Sequence, residues 1–352
     1  MTLVLGEQPP SLRSERNYMK TADLIKQIEK TAMLCGAASW DNCGVQIPST
    51  KKEVRRIALA LDPTEETIST AVKQGAEFIL THHPLLMKPK YLNKLDTHFS
   101  IVSTLITHNI CLYSAHTSLD ANPEGPAGWL ARALGLENCK LLGTTHKFET
   151  EAVAFTLSKN TATSSLLYEW ETLPYIVTVR HVDQMINVTY NKEYRSAVLA
   201  RLAADLDELP IFTPSTPDAP ASKLGFGTIG TLPEPVPFEV FTKNLAAHVD
   251  RNYWIQSGSL PETVHKVAYC TGSGSDFAPK AFSLGADIFI TGDVKYHAAL
   301  DTTGCILDVG HFSLEEEMMR QFALQLAGEL DDVEIFFLPA QDPMRLVGPF
   351  AQ

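Results

Sequence analysis

The chain has no Cys-x-x-Cys pair, no tract of basic residues, no long apolar run and no Gly-x-Ser-x-Gly elbow. Each absence removes a class of function. The six cysteines, Cys35, Cys43, Cys111, Cys139, Cys270 and Cys305, are scattered over 352 residues. Several sit inside apolar runs such as "NICLYSA" and "GCILDVG", which reads as the reduced thiols of a cytoplasmic protein rather than a disulfide framework. A formal net charge of -12 without a basic tract argues against a surface built to neutralise nucleic-acid phosphates. The first 19 residues hold only a short apolar stretch, whereas a membrane span needs roughly 20 apolar residues. A frayed extension ahead of a soluble protein is expected. Without the elbow, nothing supports a Ser/His/Asp triad.

What the sequence does contain is an internal repeat. "VRRIALALDPTEETISTAVKQGAEFILTHH", from Val54, aligns without a gap on "VHKVAYCTGSGSDFAPKAFSLGADIFITGD", from Val264. The alignment pairs Ala58 with Ala268, Gly75-Ala76 with Gly285-Ala286 and Thr81 with Thr291. Each copy reads as an apolar strand, a polar loop, an amphipathic helix closed by glycine, and a second apolar strand. Such a βαβ unit with continuous apolar strands suits a parallel sheet covered on both faces. After a shift in spacing the repeat resumes, "THNICLYSAHTSLD" (107–120) lying against "TTGCILDVGHFSLE" (302–315). The fold class is therefore α/β, with two similar halves at 20–138 and 225–352. Between them, 139–224 reads as a small α+β insert of three strands and one helix, ending in a Pro/Ser-rich linker "TPSTPDAPAS".

Ligand sites in open α/β sheets lie outside the carboxyl ends of the strands. There the repeat places His82-His83, His116 with Asp120, and His311 with Glu315. A single His-His pair or His-x3-Asp is more often structural. Their joint occurrence at corresponding strand ends selects a metal site. Imidazole and carboxylate are ligands of zinc, iron and manganese, and one bridging carboxylate can hold two ions. Adjacent strand residues point to opposite faces, so His82 and His83 require the strand to end, as Pro84 implies. Ser313 with Glu316 reads as a capping box, which puts His311 on the preceding loop and Glu315 in the first turn. "TGDVKYH" brings Asp293, Lys295, Tyr296 and His297 to the strand end matching His82-His83, either as substrate contacts or as a solvated loop. "TGSGSDF" (271–277) is an anion-cradling turn or a plain one, and lacks the lysine of a P-loop. In "WDNCGVQI", Asp41 and Asn42 either face the site or belong to a turn packed by Trp40.

Taken together, "WDNCGV", "GAEFILTHHPLL", "LYSAHTSLDANPEG", "GFGTIGTL", "GSGSDF", "GADIFITGDVKYHAALD" and "GHFSLE" resemble the Nif-three-like family, also described as GTP cyclohydrolase I type 2 homologues. The resemblance covers roughly 20–138 and 224–352. It implies two duplicated α/β domains facing a dinuclear metal site, assembled as a toroidal homohexamer. His82 and His83 would each bind one ion, Asp120 would bind from the first half, and His311 with bridging Glu315 from the second. His116 fits the motif as a ligand or as an active-site partner. Two divalent ions per subunit would serve a hydrolase acting on a small molecule such as a nucleotide, with Lys295, Tyr296 and His297 available to contact it. The alternative is a metal-binding regulator or adaptor without enzymatic activity. Some relatives carry a PII-like domain where the insert lies, though the insert shows no full ferredoxin-like pattern.

Overall fold

Strands that are apolar on both sides need cover on both faces. In the computed structural model, which describes residues 18–156, 164–173, 175–206, 211–217 and 222–347, they receive it. The chain forms two compact units, one made of 1–145 with 225–352 and the other of 146–224.

Two large sheets build the first unit, with a two-stranded pair, Met19–Lys20 and Glu53–Val54, beside them. One has five strands in the order Glu334–Phe337, Arg56–Ala60, Phe78–Thr81, Cys111–Ser114 and Gly44–Ile47. The first four run parallel and the last is antiparallel. Ile57 and Leu59 face a large core that also holds Val267, Ile290 and Phe322, while Ala58 and Ala60 face a second core with Ile68, Ala71, Ile101 and Leu105. The helices Glu65–Lys73 and Thr97–Thr107 supply that second cover.

The other sheet has six strands, in the order Ile255–Ser257, Cys305–Asp308, Ile288–Thr291, Thr263–Tyr269, Lys223–Pro237 and Glu137–Lys147. Thr263–Tyr269, Ile288–Thr291 and Cys305–Asp308 run parallel in neighbouring places, as Arg56–Ala60, Phe78–Thr81 and Cys111–Ser114 do in the first sheet. The helix of each aligned segment exits through a left-handed glycine, Gly75 at φ +73 and Gly285 at φ +84, a conformation that costs glycine little.

The edges of the halves differ from the sequence expectation. Glu137–Lys147, assigned largely to the insert, lies in the second sheet. Glu334–Phe337, at the far end of the second half, completes the first sheet by pairing with Arg56–Ala60. The helix His311–Glu329 packs on those same two strands. It buries Leu314, Met318, Met319, Phe322, Ala323 and Leu326 completely, each large side chain contributing on the order of 1.5–3 kcal/mol.

The second unit is more complete than its sequence indicates. Its sheet runs Thr213–Ser215, Thr150–Thr156, Met185–Asn191, Ile176–Val182, all neighbours antiparallel. The helices Ser164–Glu171 and Arg195–Asp205 complete a βαββαβ order, the ferredoxin-like pattern. Thr213–Ser215, read as the start of a linker, is its fourth strand. The unit has its own core around Trp170, Ile186, Val188, Tyr190 and Val198.

All six cysteines are free, with Cys111, Cys270 and Cys305 buried and Cys35 and Cys139 exposed. Among the described residues no helix is long and apolar enough to cross a membrane. Most of the expected extension, residues 1–17, lies outside the described residues.

Candidate metal centre

The strand Phe78–Thr81 stops one residue before the histidine pair. His82 N and His83 N still donate to Ala60 O and Leu61 O, while Thr81 Oγ1 turns to donate to His83 O at 2.8 Å. The backbone therefore bends where alternation would have separated the rings. They lie 5.0 Å apart, centroid to centroid, and His116 lies 5.1 Å from His82 and 5.4 Å from His83. His116 precedes the short helix Thr117–Asp120, which carries Asp120.

From the second sheet comes the helix His311–Glu329, with Gly310 as its N-cap. The expected capping box is not formed. Ser313 Oγ donates to Val309 O and Gly310 O, and Glu316 accepts from Ala340 N. His311 is thus the first helical residue, not a loop residue, and the i,i+4 spacing puts Glu315 on its own face. His311 Nε2 meets Glu315 Oε2 at 2.8 Å.

Glu315, only 3% exposed, is the hub. Its Oε1 lies 3.4 Å from His82 Nε2, and its Oε2 lies 3.1 Å from His83 Nε2. His82 Nε2 is also 3.6 Å from Asp120 Oδ2. Three overlapping groups have donor atoms close enough to hold a metal ion: His82, His83 and His116; His83, His311 and Glu315; and His82, Asp120 and Glu315. All six residues assigned to strand ends by the repeat are brought together.

Each imidazole is fixed by its other nitrogen. Nδ1 of His83 meets Asp62 at 2.8 Å, that of His116 meets Asp41 at 2.8 Å, that of His311 meets Asp293 at 2.7 Å, and that of His82 meets Ala115 O at 3.2 Å. A carboxylate or carbonyl behind the ring, with Nε2 turned inward, is the arrangement that orients metal-ligating histidines. The fit to a metal rests further on one atom. His82 is fully buried, and its Nε2 makes no hydrogen bond among the described residues, a costly state for a polar atom that a cation would relieve.

The electrostatics agree. Burial disfavours a charged His83, but hydrogen bonds to Asp62 and Glu315 outweigh it and raise its pKa to about 10. Burial opposes charge on His311 as well, and Glu315 and Asp293 lift it to about 9. Burial would raise Glu315, yet the charge of His82 and the bond from His311 hold it well below the usual range. Burial would also raise Asp41, and the bonds from His116, Thr117 and Cys43 overcome it. The cluster attracts positive charge, as protons or as metal.

Two glycines make the approach possible. A Cβ on Gly272, at φ +60, would meet Glu315 Oε1 at 2.3 Å, and one on Gly292 would meet His311 N at 2.3 Å. Gly292 stands where the first segment has His82, so the second segment has room for the helix end but not for a second imidazole. The turn at 271–277 serves the carboxylates, since Thr271 Oγ1 donates to Asp120 Oδ1 at 2.8 Å.

The remaining sequence candidates divide. Asp41 and Asp293 hold the rings of His116 and His311, while Asn42 bonds Gln46 and Leu86 O instead. Trp40 lies exposed beside His116, 6.1 Å between rings. Lys295, Tyr296 and His297 are exposed around the start of the helix Tyr296–Asp301 and are not brought into the cluster. A cavity of about 430 Å³ opens beside His83 and His311, and its wall is formed by Asp62, Arg251, Asp293 and Phe312 rather than by those three. Asp62 and Arg251 were missed, while Thr271 and Gly272 lie in the turn read as an anion cradle or a plain turn and instead meet Asp120 and Glu315. The signal for Asp62 is its position just past the strand Arg56–Ala60.

The sequence profile of Duf34/NIF3 (NGG1p interacting factor 3) matches residues 19–343, the 146–224 unit included. A Staphylococcus epidermidis protein named GTP cyclohydrolase 1 type 2 homolog is 29% identical over 338 residues, covering 86% of this chain and 91% of that one. A Staphylococcus aureus protein of the same name is 27% identical over 337 residues, with the same coverage. Among solved structures, a Bacillus cereus protein related to NIF3 is similar with a TM-score of 0.79 and 25% identity, over 95% of this chain and 100% of that one. A shared fold, a profile match along nearly the whole length and an imidazole-carboxylate cluster at the strand ends point the same way: the chain belongs to the Duf34/NIF3 family.

Proposed function

We propose that the protein is a metal-dependent hydrolase whose cluster holds two divalent ions, zinc, iron or manganese, between duplicated α/β halves. The observation that carries this reading is the position of Glu315, whose two oxygens face two different ligand groups. One ion would take His82, Asp120 and Glu315. The other would take His83, His311 and Glu315, with His116 beside both. Bound there, divalent ions supply Lewis-acid polarisation and make water acidic enough to attack at neutral pH. Asp62, Asp293 and Asp41 keep the rings in register, and Thr271 keeps Asp120 turned inward.

The names of the relatives favour chemistry of the GTP cyclohydrolase I type 2 kind, hydrolytic opening of a nucleotide ring or of a related phosphoester. The cavity beside His83 and His311 favours an enzyme over a purely structural metal site, which has closed coordination. A homohexamer in the cytoplasm accords with the family resemblance.

The test is a product screen of metal-loaded protein against nucleotides and phosphoesters, with Glu315→Ala as control and metal content measured in both. Glu315→Ala should lose metal and turnover together. Equal turnover by the two proteins sinks the hydrolase reading, and equal metal content sinks the site.

A further inference from the structure

We propose that Asp308 is a positioning residue for one of the two ions, the one that takes His83, His311 and Glu315. This rests on the two-ion reading and adds the group that keeps His311 on its ion.

The register of the two sheets puts Asp308 where the first half has Ser114. Thr81 pairs with Ser114 and Thr291 with Asp308. The next N–H of each chain, that of Ala115 or of Val309, donates to Thr81 O or Thr291 O at 2.9 Å. His116 then follows Ala115 directly, whereas one more residue, Gly310, stands between Val309 and His311. The second half therefore carries an extra residue past the strand end and must still deliver its histidine to the cluster. In the first half, with no extra residue, Ser114 needs only to donate to His82 O, at 2.7 Å.

Asp308, 7% exposed, holds both sides of that break. Its Oδ1 accepts from Gly310 N at 3.0 Å and its Oδ2 from Val294 N at 2.9 Å. Gly310 precedes His311 and Val294 follows Asp293, and those two side chains meet at 2.7 Å, His311 Nδ1 to Asp293 Oδ2. The contacts close a ring, from Asp308 through Val294, Asp293, His311 and Gly310 back to Asp308. Two members have backbone that needs fixing. Asp293 takes φ +54 and Gly310 φ +95, in the half of conformational space that suits glycine and few other residues. Arg251 backs the ring. Its buried guanidinium lies 3.6 Å from Asp308 Oδ1, which offsets the cost of burying a carboxylate, and a Cβ on Gly310 would come within 2.4 Å of its Nη1. His311 is a corner of the group His83, His311 and Glu315 and has no part in the group His82, Asp120 and Glu315. Loosening the ring therefore acts on one ion and spares the other.

The test is titration of chelator-treated full-length protein with zinc against a chelating dye. Wild type, Asp308→Asn, His311→Ala and the double variant are compared, and the metal-free proteins are melted alongside. Asp308→Asn should lose roughly 10-fold or more in affinity for one ion and stay within about 2-fold of wild type for the other. In the His311→Ala background the same substitution should cost almost nothing, because the ring that it positions is gone. An equal loss at both ions, or a loss undiminished when His311 is absent, overturns the proposal. So do unchanged affinities, whatever happens to the melting temperature, since that is the result of a purely structural Asp308. If Asp308→Asn fails to fold, Asp308→Glu, which keeps the charge and displaces the oxygens, decides by the same comparison. A wild type that binds one zinc sinks the two-ion reading, and the dependence on His311 then decides the role of Asp308 at that ion. A wild type that binds none sinks both.

Discussion

A carboxylate buried among three imidazoles, as Glu315 is, depends on how rigidly those rings are held. The holding residues are Asp62 and Asp293, each within 2.8 Å of the ring it orients. Replacing either by Asn keeps the shape but removes the charge that makes imidazole a better donor. Metal affinity in Asp62→Asn and Asp293→Asn should fall by roughly 10- to 100-fold in a competition titration with a chelating dye, while the far-UV spectrum is unchanged. Affinity within a factor of about two of wild type would remove both from the site. His82, His83, His116, Asp120, His311 and Glu315 were legible because the repeat puts them at matching strand ends. Asp62 was not, since its partner His83 is 21 residues away and its position past a strand is a signal with no spacing to single it out. Lys295, Tyr296 and His297 were legible as strand-end residues. However, Asp293 takes φ +54 and turns its carboxylate to His311, and the residues after it emerge at the surface.

At the level of elements, the clustered side chains are delivered by turns and helix ends whose fit depends on glycine. Gly272→Ala should push Glu315 out of place, because the new methyl would lie 2.3 Å from Oε1 and the backbone has φ +60. The expected result is protein with reduced metal content and a loss of about 1–3 kcal/mol in stability, measured by metal analysis and denaturant titration. Full metal content would show that the turn at 271–277 can yield. The βαβ segments were legible because strands covered on both faces must be apolar throughout. The cap of His311–Glu329 was misread because Ser313 has helical backbone and bonds backward to carbonyls, which its spacing to Glu316 does not reveal. The ferredoxin-like order of 146–224 escaped because its last strand, Thr213–Ser215, is three residues long and contains Pro214.

For the whole molecule, the concentration of negative charge at one point ties stability to pH and metal. Without metal, His83 and His311 have pKa values raised from the usual 6.5 to about 10 and about 9. Between 6.5 and those values the folded state holds more protons than the unfolded one. Their contribution is therefore complete below 6.5 and disappears as pH rises through 9 to 10. Chelator-treated protein should melt at progressively lower temperature from about pH 7 to about pH 10, and restoring zinc or manganese should flatten that fall, because the metal replaces the protons. A melting temperature independent of pH in the metal-free protein would contradict the picture.

The sequence could not reveal which sheet takes Glu334–Phe337, because an apolar strand fits any open edge. Its place beside Arg56–Ala60, where Arg56 and Glu334 also join in an ion pair 278 residues apart, has a consequence for biosynthesis. On the ribosome the first sheet waits without its outer strand, and His82, His83, His116 and Asp120 wait without Glu315, until the second half has been made. Any metal the cluster takes would then be held only after Glu315 has been made, and a chain truncated before Glu315 is left with His82, His83, His116 and Asp120 and no hub.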